Sequence, residues 1–188
     1  MHGKAGFFFS CLIFLILLTF PGPLRAEKAA IRDFLVTNNE SHLLVYARVI
    51  DCFTARMEAA ILAGVPTTFT FIIDLFRERP WWPDRKLIRL TVRHMIKYDN
   101  VKKIFHVSFD GNREHSVFQD FDSAKRAMAD LSGVPVVPLE TLKSNEYYEI
   151  DIKAKLDKVR LPLHLEVVFF FVSLWDFETD WYRERFFY

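Results

Sequence analysis

A mainly β fold is the class this sequence predicts: an antiparallel β-sandwich with two short helices. Three observations predict it. Most apolar runs alternate with polar residues at a period of two, which is the period of a half-buried strand. Short turns join these runs, which favours antiparallel pairing. Only two stretches carry the start and stop signals of a helix. An immunoglobulin-like sandwich is one form of this arrangement. The alternative is an α+β fold with one curved antiparallel sheet and both helices on one face.

The chain begins with a leader. Lys4 precedes an apolar run from Phe7 to Phe20, Pro21 and Pro23 break any helix, and Ala26 offers a small residue for cleavage. That order is the pattern of a secretory signal peptide over residues 1–26. The apolar run falls short of the roughly 20 residues that span a bilayer. An uncleaved inner-membrane anchor is the competing reading, because Leu24 and Arg25 are unusual beside a cleavage site. Residues 27–188 then form a single β-rich domain, expected in the periplasm, with length enough for a hydrophobic core.

Charge narrows the partners. The whole chain has 25 basic and 24 acidic residues, and losing Lys4 and Arg25 with the leader leaves a net charge of −1. Such a balance gives no electrostatic case for nucleic acid or for an anionic membrane surface. Of the 2 cysteines, Cys11 lies in the leader and Cys52 remains. One cysteine cannot form an internal disulfide, and Cys52 is expected to be a buried thiol.

The elements follow in order. "AAIRDFLV" and "HLLVYARVI" flank an Asn-rich turn and read as a hairpin. The turn contains the glycosylation-type triplet Asn39-Glu40-Ser41, although Asn in a turn needs no such explanation. "TARMEAAILAG" reads as a helix capped by Thr54 and ended by Gly64. In "TTFTFIIDLFRERP", Phe69, Phe71, Ile73 and Leu75 share one strand face, with Thr68, Thr70 and Asp74 on the other. "KLIRLTVRHMIKYD" is a long strand, and "KKIFHVSFDGNREHSVFQ" holds a second hairpin. "FDSAKRAMADLSG" reads as a helix with an Asp120 or Asp122 cap that stops at Gly133. "VPVVPLETLKSN" reads as a connection because of its prolines. "EYYEIDIKAKLD" is the cleanest strand, with Tyr148, Ile150, Ile152, Ala154 and Leu156 inward. "LEVVFFFVSLW" suits a strand buried on both faces.

Motifs for chemistry are scarce. The sequence has no glycine-rich phosphate loop, no zinc-spaced Cys/His pair and no nucleophile elbow. His94 falls on an apolar strand face and is expected to be structural. His106 and His115 flank the Asp110-Gly111 turn and make at most half a metal site. Asp176, Glu178 and Asp180 alternate, so an extended backbone would put them on one face, where a solvated polar face is the ordinary outcome. No catalytic residue, cofactor or metal is expected, and the chain is read as a non-enzyme.

Aromatic residues carry the functional expectation instead. Trp81 and Trp82 sit between Pro80 and Pro83, with Arg77, Arg79, Arg85 and Lys86 around them. Trp with Arg marks interface hot spots and contacts with membrane surfaces. One of the two Trp is expected to cover the end of the core. The tail "SLWDFETDWYRERFFY" is expected to act as a clasp, with Phe177 and Trp181 filling the core. On that reading Trp181→Ala would cost about 3–5 kcal/mol, and losing Phe186, Phe187 and Tyr188 would cost far less. The candidate interaction surface is therefore Trp81, Trp82, Arg79, Phe186, Phe187 and Tyr188. It would meet an unidentified envelope protein or lie close to a membrane. The alternative function is a binder of an apolar or lipid-like ligand in a Phe-lined cavity.

Several segments in this order resemble one family. They are "AILAGVPTTFTFIIDLFRERPWW", "MIKYDNVKKIFHVSF", "DFDSAKRAMADLSGVPVVP", "YYEIDIKAKLD" and "SLWDFETDWY". The chain looks like the exported bacterial proteins that carry domain of unknown function 4390. The resemblance implies a Gram-negative envelope protein, with a hint of envelope signalling, and transfers no activity or site residue. The tail "RERFFY" extends beyond the family's usual end near Trp181-Tyr182.

Overall fold

Alternating strands build two antiparallel sheets around one apolar core. The computed structural model describes residues 28–110, 115–157 and 177–188. The first sheet contains β1 (Ala30–Asn38), β2 (His42–Ile50) and β7 (Asp130–Pro138), in the order β1-β2-β7. The second contains β3 (Thr67–Arg77), β4 (Arg85–Asp99), β5 (Ile104–Phe109), β6 (His115–Phe118), β8 (Tyr147–Leu156) and β9 (Tyr182–Phe187). Its order is β6-β5-β4-β3-β8-β9. Two helices complete the described residues, α1 (Ala55–Leu62) and α2 (Phe121–Ala129), together with a short 3-10 turn. The architecture is sandwich-like, and the two sheets do not close into a barrel.

Period-two patterning explains the core. On β3, Phe69, Phe71, Ile73 and Leu75 are fully buried, and on β8 so are Tyr148, Ile150, Ile152 and Ala154. Each such large aliphatic or aromatic side chain contributes about 1.5–3 kcal/mol by leaving water. These are the faces read from the sequence. Leu43, Val45, Ala47 and Val49 of β2 supply the facing layer. Tyr148 keeps its hydroxyl satisfied, donating to the Lys143 carbonyl and accepting from the Lys143 amide at 2.7 Å.

The helix starts are also as expected. Thr54 Oγ1 accepts from the Met57 amide at 3.2 Å, and Asp120 Oδ1 accepts from the Ser123 amide at 2.7 Å. Asp120, rather than Asp122, is thus the cap of α2. Asn39 Oδ1 accepts from the amides of Ser41 and His42, so this side chain builds the β1–β2 turn. Gly64 ends α1 with φ +89°, and a Cβ there would stand 2.8 Å from Asn100 Nδ2.

One element departs from the sequence reading. The first five residues of the Pro-punctuated stretch expected to be a connection, 134–138, belong to strand β7, and α2 stops at Ala129 instead of running to Gly133. Two irregularities in the β2–β7 register explain the disguise. Ser132 and Gly133 together oppose Tyr46, and Gly133 takes φ +63°, which suits a bulge. A Cβ at Gly133 would also lie 3.0 Å from the Tyr46 hydroxyl. Pro135 and Pro138 are tolerated because β7 is an edge strand of its sheet. The apolar run "LEVVFFFVSLW" lies outside the described residues.

Candidate functional site

The candidate site grows from the end of the longest hairpin. Strands β3 and β4 are paired from Thr67↔Ile96 to Arg77↔Arg85, and residues 78–84 turn between them. Pro80 and Pro83 limit the backbone of this turn. The Arg79 amide donates to Asp84 Oδ1 at 3.2 Å across its base. Trp81 is 91% exposed and Trp82 is 73% exposed. The expectation that one Trp would cover the core is therefore corrected: the apolar end of this sheet is already filled by Leu75, Tyr148 and Ile150, and both indoles project from the turn.

The tail meets this hairpin at the same end of the sheet. β9 pairs antiparallel with β8, placing Phe187 opposite Tyr147 and Phe186 opposite Tyr148. The Glu78 amide donates to the Tyr147 carbonyl at 3.0 Å, which fastens the β3–β4 turn to the start of β8. Arg185 makes a two-pronged ion pair with Glu78 and stands 4.2 Å over the Tyr147 ring. Phe187 is 58% exposed, with its ring 5.0 Å from Tyr147. A surface cavity of about 770 Å³ lies between this turn and the start of β8, with Glu78, Arg79, Asp84, Glu146, Glu149 and Arg185 in its wall.

The tail itself is not the clasp expected from the sequence. Phe177 does pack on the core, edge-on to Phe69 at 4.8 Å. Trp181, however, is 39% exposed and lies under Lys153 Nζ at 4.8 Å, so it sits over the sheet surface. Thr179 takes the buried position instead, and its Oγ1 accepts from the Ala154 amide. The Lys155↔Glu178 bridge sets this phase, and the backbone between Thr179 and Trp181 is not strand. Phe186 and Tyr188, offered as interaction residues, belong partly to the fold. Phe186 stacks on Tyr148 at 5.6 Å, and the Tyr188 amide donates to the Glu146 carbonyl. Of the last three residues, Phe187 is the exposed one.

A charged row crosses the outer face of the same sheet. In register, Arg89, Asp74, Asp151 and Arg183 follow one another across β4, β3, β8 and β9. Arg89 donates to Asp74 through two nitrogens at 2.7 and 2.6 Å, and Lys86 Nζ donates at 2.8 Å. The Arg89 hydrogen bond holds the Asp74 carboxyl below its ordinary range, against the opposing effect of burial. Arg183 donates to both oxygens of Asp151. Burial pushes the neighbouring Glu149 carboxyl up, and Arg183 partly offsets this. The sequence placed Asp74 and Asp151 on polar faces, but pairing register alone made them neighbours.

The remaining candidates are structural. His94 is buried, and its Nδ1 donates to the Met128 carbonyl at 3.1 Å, tying β4 to α2. Burial lowers its pKa. His106 and His115 do approach, with ring centroids 5.1 Å apart. Among the described residues no group of three His, Cys, Asp or Glu side chains could hold a metal ion. Glu178 and Asp180 bind different lysines, Lys153 and Lys28, rather than one another's ligand, and Asp176 lies outside the described residues. Cys52 is buried, and burial pushes its thiol up to about 12.

A family model described as Domain of unknown function (DUF4390) matches residues 26–185. The chain belongs to the DUF4390 family. No curated protein and no solved structure matches it. The DUF4390 match includes both Trp of the turn and the tail through Arg185, so it runs past Tyr182, where the sequence reading placed the family's end. Both halves of the aromatic site, apart from Phe187, thus lie within DUF4390 itself.

Proposed function

We propose that this DUF4390 chain is a non-catalytic interaction module of the cell envelope, exported to the periplasm by its apolar leader. Its contact surface is the Trp81–Trp82 turn with the adjoining Tyr147 and Phe187. The observation that carries this reading is the exposure of Trp81 and Trp82 on a turn braced at its base. Large aromatic groups left in water on a constrained backbone favour binding, because little conformational freedom is lost when they are covered. The charged groups of the described residues support the same reading. Asp74, Asp151, Glu78 and Glu178 are each committed to an ion pair with an arginine or lysine. The Phe-lined ligand cavity has less support, since Phe69 and Phe71 are fully buried in packed core.

A photo-crosslinking residue at position 82, used in the native envelope, tests the surface. A discrete adduct is expected there and not from position 101, where exposed Val101 lies on the β4–β5 turn. Equal labelling from both positions, or none from position 82, would remove the turn as the contact surface.

A further inference from the structure

The exposed Trp pair raises the question of what kind of partner could cover both rings. Trp81 and Trp82 are neighbours on a turn restricted by Pro80 and Pro83, and both are open to water. A protein surface meeting the turn from one side covers one face of it. A lipid–water interface surrounds an inserted tip and takes both indoles at once. The indole suits that zone, since its ring is apolar and its N–H still needs a polar partner.

Charge around the tip points to the kind of lipid. Arg79, Arg85 and Lys86 are exposed beside the two Trp, and Asp84 is the one exposed acid in that stretch. Arg79 and Arg85 make no ion pair among the described residues. Further along the sheet, several outer-face ion pairs hide their acids and show their cations, whereas Arg77–Glu146 at the base of the turn is ordered the other way, at 18% against 35%. Side-chain exposure is 55% for Arg89 against 3% for Asp74, and 61% for Arg183 against 8% for Asp151. Arg185 and Glu78 are ordered the same way. Short carboxylates lie against the strands while long guanidinium stems reach outward. The tip itself, with Arg79, Arg85 and Lys86 exposed against Asp84, is therefore locally cationic beside Trp81 and Trp82 in a near-neutral chain.

We infer that the Trp81–Trp82 turn docks on an anionic phospholipid surface, with the two indoles in the headgroup zone and Arg79 and Arg85 against lipid phosphates. This rests on the interaction-module reading and names its partner as a bilayer. Each basic residue near such a surface contributes about 1 kcal/mol, so losing one should reduce the docked fraction ratio roughly fivefold. Salt should weaken docking, because the charges involved are exposed.

The test uses the full chain with vesicles of brominated phosphatidylglycerol or brominated phosphatidylcholine, and reads quenching of Trp emission. This readout is local to the indoles, so binding by the apolar leader does not imitate it. Strong quenching is expected with phosphatidylglycerol and weak quenching with phosphatidylcholine. Trp81→Ser/Trp82→Ser should abolish the quenched component, leaving the signal of Trp175 and Trp181. Arg79→Gln/Arg85→Gln keeps every Trp and should cut quenching on phosphatidylglycerol while the thermal midpoint stays in place. Equal quenching by both lipids, or quenching that survives loss of the Trp pair or of the two arginines, overturns the inference. A protein adduct from position 82 in the envelope, with no quenching by either vesicle, would overturn it too while upholding the interaction module.

Discussion

Replacing Asp74 by Asn removes one charge from the outer face of the sheet and changes almost no volume. Its side chain is 3% exposed, held by Arg89 at 2.6 Å and Lys86 at 2.8 Å. Hydrogen bonds to charged groups contribute about 1.5–3 kcal/mol where they are kept from water. Here both cations are half in solvent and can turn outward once the carboxylate is gone, so the lower part of that range applies. Asp151 lies directly opposite on β8. Like charges in that position cost about 0.2–1 kcal/mol, which the substitution relieves. The expected net loss is about 1–2 kcal/mol near neutral pH. The pH dependence has a definite sign. The Arg89 hydrogen bond holds the Asp74 carboxyl down in the folded protein. A depressed acid stabilises fully above its unfolded pKa, about 3.9. That stabilisation is lost as pH falls through the folded value. Urea unfolding of both proteins should show a constant difference between about pH 7 and pH 5, narrowing below about pH 4. A neutral or stabilising Asp74→Asn near pH 7, or a difference that persists unchanged into acid, would refute the argument that this carboxylate is a net anchor of the sheet.

Two further predictions concern single side chains. Phe186→Ala should destabilise by about 2 kcal/mol, roughly half the cost of emptying a fully buried Phe site, because its ring stacks on buried Tyr148. Phe187→Ala, one residue on, should stay within about 0.5 kcal/mol, as surface substitutions usually do; equal losses in thermal unfolding would mean that the strand is not phased as described. Cys52 should resist a thiol reagent in the native protein and react after denaturation, because its thiol is buried and pushed up to about 12. Peptide mapping separates it from Cys11, and rapid native labelling or a disulfide-linked dimer would contradict the buried assignment.

Period-two alternation and helix caps are local properties of the chain. For that reason the sequence alone determined the mainly β class, the inward faces of β3 and β8, the Thr54 cap and the structural place of His94, and it narrowed the second cap to Asp120 or Asp122. It also singled out Trp81 and Trp82, because two prolines flanking two tryptophans are visible without any partner strand. Other features depended on pairing between distant segments. β7 was hidden because its bulges at Gly133 and Val136 break the alternation, and only the register with β2 shows the stretch to be a strand. The phase of the tail was equally out of reach. Thr179 is the buried residue there and Trp181 lies on the surface, because hydrogen bonds to Ala154 fix the register. The row of Arg89, Asp74, Asp151 and Arg183 exists only where four strands lie side by side. The same holds for the meeting of the Trp turn with Tyr147 and Phe187. Each strand carries its own alternation, but which residues face one another across strands is set by long-range hydrogen bonding, and that is decided only when the sheet forms.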